Sequence, residues 1–348
     1  MPTDVEGDRG VRTYDAAVEL TALAELVASA SERVVVHPPD GKSGAHFEKL
    51  TIGGTAYFLK VLSYDADWIM RCTGNTDHWE YKAWTAGLYD RAPPEIDHAM
   101  VAMALEDGHL SMLMRDISGS LIPEGDAPVT LEQHDAFVDH MAAFHAACWG
   151  FEDTVGLSSL EDRINTFSDD NVAREMQVPD PPGPIRVAQE GWALLPERSP
   201  ALAAIVNAAR AEPPSLAATL RATPQTFIMG DWKMGNLGYH ADSKRTVLVD
   251  WAYPGAAPGC WDLMWYLALN RARLPRTKEE SIAAYRDGLE RRGVSTADWF
   301  DDQLHYSTIG VLTMIAWEKA VGDADELAWW EEFVTRGDAD RSRRGWRT

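Results

Sequence analysis

Apolar residues at Val18, Leu20, Leu23, Leu26 and Val27 recur at helical spacing between Asp15 and Ser29 and predict an amphipathic helix, a lid for the segments after it. The texture then changes. Val34 to Val36, Phe47 to Ile52 and Thr55 to Val61 are short β-branched or alternating runs separated by DGKSG and GG, and predict strands joined by turns. A polar loop then leads to a helix expected around Asp77 to Tyr89. Ala99 to Leu105 and Leu110 to Met114, parted by EDGH, predict one more hairpin.

From Leu131 the period becomes helical, with Phe137, Met141, Phe144, His145 and Cys148 on one stripe. PDPPGP at Pro179 to Pro184 reads as a linker, and Pro224 ends a helical stretch before a second β pair, Thr226 to Met229 with Thr246 to Asp250. Helices are expected near Leu263 to Ala272, Lys278 to Arg291, Trp299 to Val321 and Glu326 to Thr335, followed by a basic, frayed tail with Arg341, Arg343, Arg344 and Arg347. This is an α+β chain in two parts: residues 1–115, β-rich with a leading helix, and residues 116–348, mainly helical.

Length agrees with two lobes, since 348 residues, 45% of them apolar, suffice for two cores. Fifty-four carboxylates against 32 Lys and Arg give a net charge of −22. That field repels a phosphate backbone, so nucleic acid is not an expected partner, and it favours a cationic small molecule. Cys72, Cys148 and Cys260 are odd in number and far apart, which excludes a disulfide framework and a structural zinc site. No stretch approaches 18 uncharged apolar residues, so no membrane partner is expected and the expected location is the cytoplasm.

The densest chemical signal is Met229-Gly230-Asp231-Trp232-Lys233-Met234-Gly235-Asn236, followed by Val247-Leu248-Val249-Asp250-Trp251-Ala252. Phosphoryl transfer needs a carboxylate at the accepting hydroxyl and separate oxygen ligands for a cation on the phosphates, all facing one cleft. Upstream, Lys60 closes a strand in Phe58-Leu59-Lys60-Val61, Glu80 lies on the expected helix, Ser43 and Gly44 belong to a turn between strands, and Met112 and Met114 end the last strand of the first part. Singly, each has a plain reading: a capped turn, an edge lysine, an exposed helix charge, a hairpin, a buried strand. Their order along the chain joins them.

In that order the residues resemble the protein-kinase-like fold, and the chain resembles the aminoglycoside phosphotransferase and small-molecule kinase group over nearly its whole length. The resemblance rests on the Gly-Asp-x-x-x-x-Asn loop, on Asp250-Trp251-Ala252 where a protein kinase shows DFG, and on Phe144-His145 in a helix ending near Trp149. Pro254 to Leu263 is similar to the group's G-x-P-x-x-D-L segment, with one more residue on each side of the central Pro. One departure stands out: Met229 occupies the place of a His that supports the loop.

The resemblance implies a bilobal fold, ATP or GTP as phosphoryl donor, Mg²⁺ as cofactor and a hydroxyl-bearing small molecule as acceptor. Asp231 would orient and deprotonate the hydroxyl, Lys233 would meet the transferred phosphate, and Asn236 and Asp250 would ligate the metal. Lys60 would hold the α- and β-phosphates with Glu80 as its partner, Ser43 and Gly44 would cover the phosphates, and the strand end with Met112 and Met114 would present backbone groups to the purine edge. Asp262, Trp265, Trp317 and Glu318 are the candidate acceptor residues, Asp262 being also a candidate brace of its own segment. The expected acceptor is an amino sugar, an aminoglycoside or another sugar-containing antibiotic. A metabolic kinase for a plain sugar or amino alcohol and a non-catalytic nucleotide-binding pseudokinase remain the alternatives, and monomer or homodimer is left open. P-loop, zincin and α/β-hydrolase templates lack their minimal residues.

Overall fold

The computed structural model describes residues 16–37, 43–123 and 125–343. The first part opens with α1 (Ala16–Ala28) and builds an antiparallel sheet from β1 (Glu32–Val36), β2 (His46–Ile52) and β3 (Thr55–Ser63), then α2 (Trp68–Thr73), α3 (Trp79–Thr85), β4 (Ile96–Asp97), β5 (Met100–Glu106) and β6 (His109–Arg115). Sheet order is β1-β2-β3-β6-β5. Strand alternation splits β3 between two faces. Leu59 packs with Leu23 of α1, Leu50, Ala104 and Leu113, so the leading helix covers the outer face, as its stripe predicts. Phe58, Lys60 and Leu62 point the other way, toward the second part.

That second part comprises α4 (Leu131–Ala147), α5 (Leu160–Asn165), α6 (Asp169–Glu175), α7 (Gly183–Arg198), α8 (Pro200–Ala211) and α9 (Pro213–Arg221). Four short strands follow, β7 (Thr226–Ile228), β8 (Leu237–His240), β9 (Arg245–Leu248) and β10 (Gly255–Ala257). Last come α10 (Gly259–Asn270), α11 (Lys278–Arg291), α12 (Phe300–Val321) and α13 (Ala324–Arg343). The axis of the lobe is α12, buried on nearly every face and packed against α5, α7, α8, α9, α10 and α13.

Three expectations about elements change. The segment after β3 is not wholly loop: α2 forms because Asp67 caps it, accepting from the backbone N–H groups of Ile69 and Met70. The two strands expected to pair with each other do not; β7 pairs with β10, while β9 lies between β8 and β4. Periodicity identifies a strand but not its neighbour. The last helix runs to Arg343 instead of ending at Thr335. Asp40, Gly41 and Lys42 of the first turn, and the tail beyond Arg343, lie outside the described residues.

Since β4 runs parallel to β9, a strand from the first 115 residues belongs to the sheet of the second lobe. Asp97 at its end pairs with Arg115 at the end of β6 and with His240 on β8 at 3.0 Å. Burial opposes ionisation of Asp97, but these partners and the Ala99 backbone N–H outweigh it and hold the carboxyl down at about 2. The lobes are thereby tied at a hinge, and Met114 to Ser118 beside it line the cleft. Among the described residues no helix is long and apolar enough to cross a membrane.

Candidate active site

The loop after β7 runs Met229 to Asn236 and ends in a single 3₁₀ turn. Gly230 adopts φ +81°, and a Cβ there would collide with the Arg163 guanidinium and the Tyr253 carbonyl, so only glycine fits. The backbone N–H groups of Met229 and Gly230 donate to the two oxygens of Asp262 at 3.2 and 3.0 Å. Asp262 is fully buried and also meets His145 Nε2 at 3.4 Å, while His145 Nδ1 meets the Tyr285 hydroxyl at 2.7 Å. From the other side, the Met234 N–H donates to Asn270 Oδ1 at 3.0 Å. The loop is therefore braced from α4, α10 and α11 without a histidine at position 229. Asp262 lies behind the loop and lines neither of the cavities the loop borders, so it makes no acceptor contact there, and what it braces is this loop and not its own segment.

At the centre of the loop, Asp231 is held by defined donors. Trp265 Nε1 donates to its Oδ1 at 2.7 Å, Asn236 Nδ2 donates to its Oδ2 at 2.8 Å, and Lys233 Nζ lies 3.0 Å from Oδ2. The amide nitrogen of Asn236 is thus spent within the loop, which leaves its oxygen as the atom available to a cation. Asp250 follows β9 in the left-handed region at φ +61°, a conformation that costs a non-glycine residue about 1 kcal/mol or more and turns the side chain into the cleft. There its Oδ1 lies 2.6 Å from Lys60 Nζ. Burial resists the charge on Asp250, but the Lys60 ammonium prevails and holds the carboxyl below its ordinary range.

The Lys60 side chain is 7% exposed and that of Asp250 38%, so the pair points its acidic member at solvent. Burial disfavours the Lys60 ammonium, yet the charge and hydrogen bond of Asp250, with Asp67 and Glu80 nearby, raise its affinity for the proton. Lys60 does not meet Glu80 as expected. Both residues line one small cavity with Asp67, but Lys60 bonds to Asp250 and Glu80 accepts from Asn75 Nδ2 at 3.4 Å. Burial pushes the Glu80 carboxyl up to about 7, against its backbone hydrogen bond and the Lys60 charge. Because the folded value exceeds the ordinary 4.5, the native state binds the extra proton between those limits and loses stability as pH rises toward 7. Glu80→Gln is therefore expected to match the parent near pH 4.5 and to exceed its stability at pH 8 by on the order of 2–3 kcal/mol. Urea midpoints across that range check it; a pH-independent difference would refute it.

Ser43 and Gly44 sit where the turn between β1 and β2 reaches α2. A Cβ at Gly44, which has φ +105°, would collide with the Ala66 carbonyl, and the Trp68 N–H donates to the Ser43 carbonyl at 3.1 Å. The glycine lets the turn dock, and Ser43 then lines the cleft. Met114 also lines the cleft, at the end of β6. Met112 does not: paired in register with Lys60, it is one pleat deeper, in the core. Strand spacing puts both methionines on one face but not at one depth.

Two cavities meet at this loop. One, of about 400 Å³ between the lobes, is lined by Phe47, Phe58, Lys60, Met114, Asn236 and Asp250 among others. The other, of about 570 Å³, lies between α2 and the helical lobe and is bordered by Trp68, Trp265, Trp317 and Glu318. Asp231 and Lys233 line both. Glu318 is committed, to Arg271 at 3.3 Å and Lys319 at 2.8 Å. Asp67, Trp68 and the Trp265–Asp231 bond escape sequence reasoning; the one available signal was an Asp at a helix N-cap position ahead of Trp-Ile-Met.

The donor set suits Mg²⁺. Among the described residues no three His, Cys, Asp or Glu side chains cluster as a metal cage. One carboxylate and one amide oxygen beside a phosphate-sized space is the arrangement in which Mg²⁺ takes its remaining ligands from phosphates and water.

No protein-family model matches the chain, and no curated protein sequence matches it significantly. Solved structures do. A spectinomycin phosphotransferase in complex with ADP and spectinomycin is 13% identical over 93% of this chain and 95% of its own, with a TM-score of 0.50. A choline kinase from Streptococcus pneumoniae is 11% identical over 93% and 99%, with a TM-score of 0.50. An amicoumacin kinase in complex with AMP-PNP, Ca²⁺ and its antibiotic is 14% identical over 93% and 94%, with a TM-score of 0.52. At these identities the likeness is one of fold, and it extends over both lobes: the chain has the bilobal protein-kinase-like fold in the form found in small-molecule kinases.

Proposed function

We propose that the protein is an ATP-dependent phosphotransferase that moves the γ-phosphoryl group to a hydroxyl of a small molecule. The observation that carries this reading is the meeting of two cavities at Asp231 and Lys233, one bearing Lys60, Asn236 and Asp250, the other lined by aromatic side chains. An acceptor hydroxyl at Asp231 would face the donor phosphate from the second cavity. Asp231, its oxygens fixed by Trp265 and Asn236, orients the hydroxyl and takes its proton as the oxygen attacks phosphorus and the bond to the ADP oxygen breaks. Lys233 neutralises charge on the moving phosphoryl group, and Lys60 holds the α- and β-phosphates once Asp250 releases it. Asn236 and Asp250 would hold Mg²⁺, which when bound neutralises the donor phosphates.

A non-catalytic nucleotide binder gains nothing from the structure. Its one support, Met229 in place of a bracing histidine, weakens because Asp262, itself met by His145, braces the loop backbone.

The test is nucleotide-linked stability together with turnover. ATP with Mg²⁺ at about a hundredfold over Kd is expected to stabilise the protein by about 2.7 kcal/mol. Lys60→Met removes the phosphate ligand and is expected to abolish most of that rise in Tm. Absence of any rise with ATP or GTP in the parent protein would sink the reading.

A further inference from the structure

Within the proposed reaction, we infer that the acceptor is an uncharged, hydroxylated ring compound with an extended apolar face, such as a neutral glycoside, and not a polyamine. This deepens the kinase reading and rests on it. The acidic sequence suggests a cationic acceptor, but among the described residues the lining of this cavity carries no net negative charge. Among its described lining residues the charges are three of each sign: Lys233, Arg271 and Arg273 against Asp126, Asp231 and Glu318.

The buried carboxylates also already face cations. Asp231 faces Lys233, Trp265 and Asn236, and Glu318 lies between Arg271 and the fully buried Lys319. Arg273 donates to the backbone carbonyls of Ala127 and Pro123, and Asp126 sits exposed at the rim. An amine entering here would give up its hydration and find, among the described residues, no buried carboxylate outside an ion pair, so its binding would be weakened at least tenfold.

What the cavity does offer is aromatic surface. Trp68, Phe167, Tyr253, Trp265 and Trp317 border it from separate helices and loops, and the indole N–H groups of Trp265 and Trp317 are turned to Asp231 Oδ1 and the Met314 carbonyl. With those donors engaged, the edge that each ring turns to the cavity is apolar, at 6% exposure for Trp265 and 7% for Trp317. Trp265 also stands within hydrogen-bond reach of the carboxylate that would take the acceptor proton. A ring stacked beside it therefore brings a hydroxyl on its rim to Asp231. A volume of about 570 Å³ lies in the range of drug-sized ligands, larger than a single sugar needs.

The experiment is saturation-transfer NMR on the full chain loaded with AMP-PNP and Mg²⁺, titrated with phenyl β-D-glucopyranoside and with kanamycin. The glucoside is expected to bind at least about tenfold more tightly than kanamycin, with a Kd that holds between about 0.05 M and about 0.5 M salt. Trp317→Ala is expected to weaken it about tenfold or more, while the ATP-dependent rise in Tm stays intact. Tighter, salt-sensitive binding of kanamycin would overturn the inference. So would failure of both probes, or indifference of the glucoside to Trp317→Ala. The kinase reading fails separately, through loss of the ATP-dependent rise in Tm.

Discussion

Asp231→Asn is expected to lower kcat by about a thousandfold while leaving nucleotide affinity within about twofold. The donors around the carboxylate set this expectation. Trp265 Nε1 addresses Oδ1, and Asn236 Nδ2 and Lys233 Nζ address Oδ2. An asparagine keeps the shape but offers one acceptor oxygen, so whichever way the amide turns, an N–H faces an N–H donor. The side chain loses both its ability to take a proton and one of the bonds that aim it. Lys60 and Asp250, the groups proposed to meet the nucleotide and its metal, keep their own ion pair. A stability loss of about 1–3 kcal/mol is expected alongside, from the unsatisfied buried donor. Single-turnover rates and ATP-dependent shifts in Tm separate the two effects. Turnover within about tenfold of the parent would remove Asp231 from the chemistry.

Much of this arrangement could be read from the chain. The strands of the first lobe, its covering helix and the hairpin at Asp107-Gly108 follow from alternation and turn residues, and β2 and β3 fall within a residue or two of expectation. The loop from Met229 to Asn236 carries its chemistry in contiguous residues, so its spacing was visible before any fold. What was hidden depends on packing between distant segments. Lys60 meets Asp250 because the lobes come together at the hinge, and a one-dimensional pattern carries no lobe angle. Trp265 reaches Asp231 because α10 leans on the loop 34 positions upstream, and an indole in an apolar helix gives no hint that its N–H will find a carboxylate. Met112 shows a third limit, since strand periodicity assigns a face but not a depth along it. The helix α2 is only six residues long, and its existence rests on the Asp67 cap and on burial of Trp68, Met70 and Cys72. Glu318 was legible as acidic, but its neutralisation by Arg271 and Lys319 comes from three-dimensional neighbours.

Asp262→Ala is expected to be the most damaging single substitution outside the cleft, costing about 3–5 kcal/mol. Its two oxygens accept the N–H groups of Met229 and Gly230, and nothing else among the described residues is placed to do so. Each orphaned buried donor costs about 1–3 kcal/mol. The Arg163 guanidinium aggravates the loss. It is fully buried, bonds the Tyr253 carbonyl, and lies so close to Gly230 that no side chain fits between them. Burial lowers its proton affinity to about 10, with Asp262 the leading opposing charge, so removing Asp262 leaves a buried cation without its main compensation. The loop would then lose this brace, and Asp231 would lose its fixed position between the two cavities. Asp262→Asn tests the same account more gently. One amide oxygen can serve only one of the two N–H groups, and its NH₂ meets the other, so about half of the penalty is expected, with kcat falling more than ATP affinity. Urea denaturation of both variants, with parallel ADP-release rates, decides the matter. If Asp262→Ala lost less than about 1 kcal/mol, the loop would owe its geometry to something other than this carboxylate, and His145 and Arg163 would be ordinary core residues.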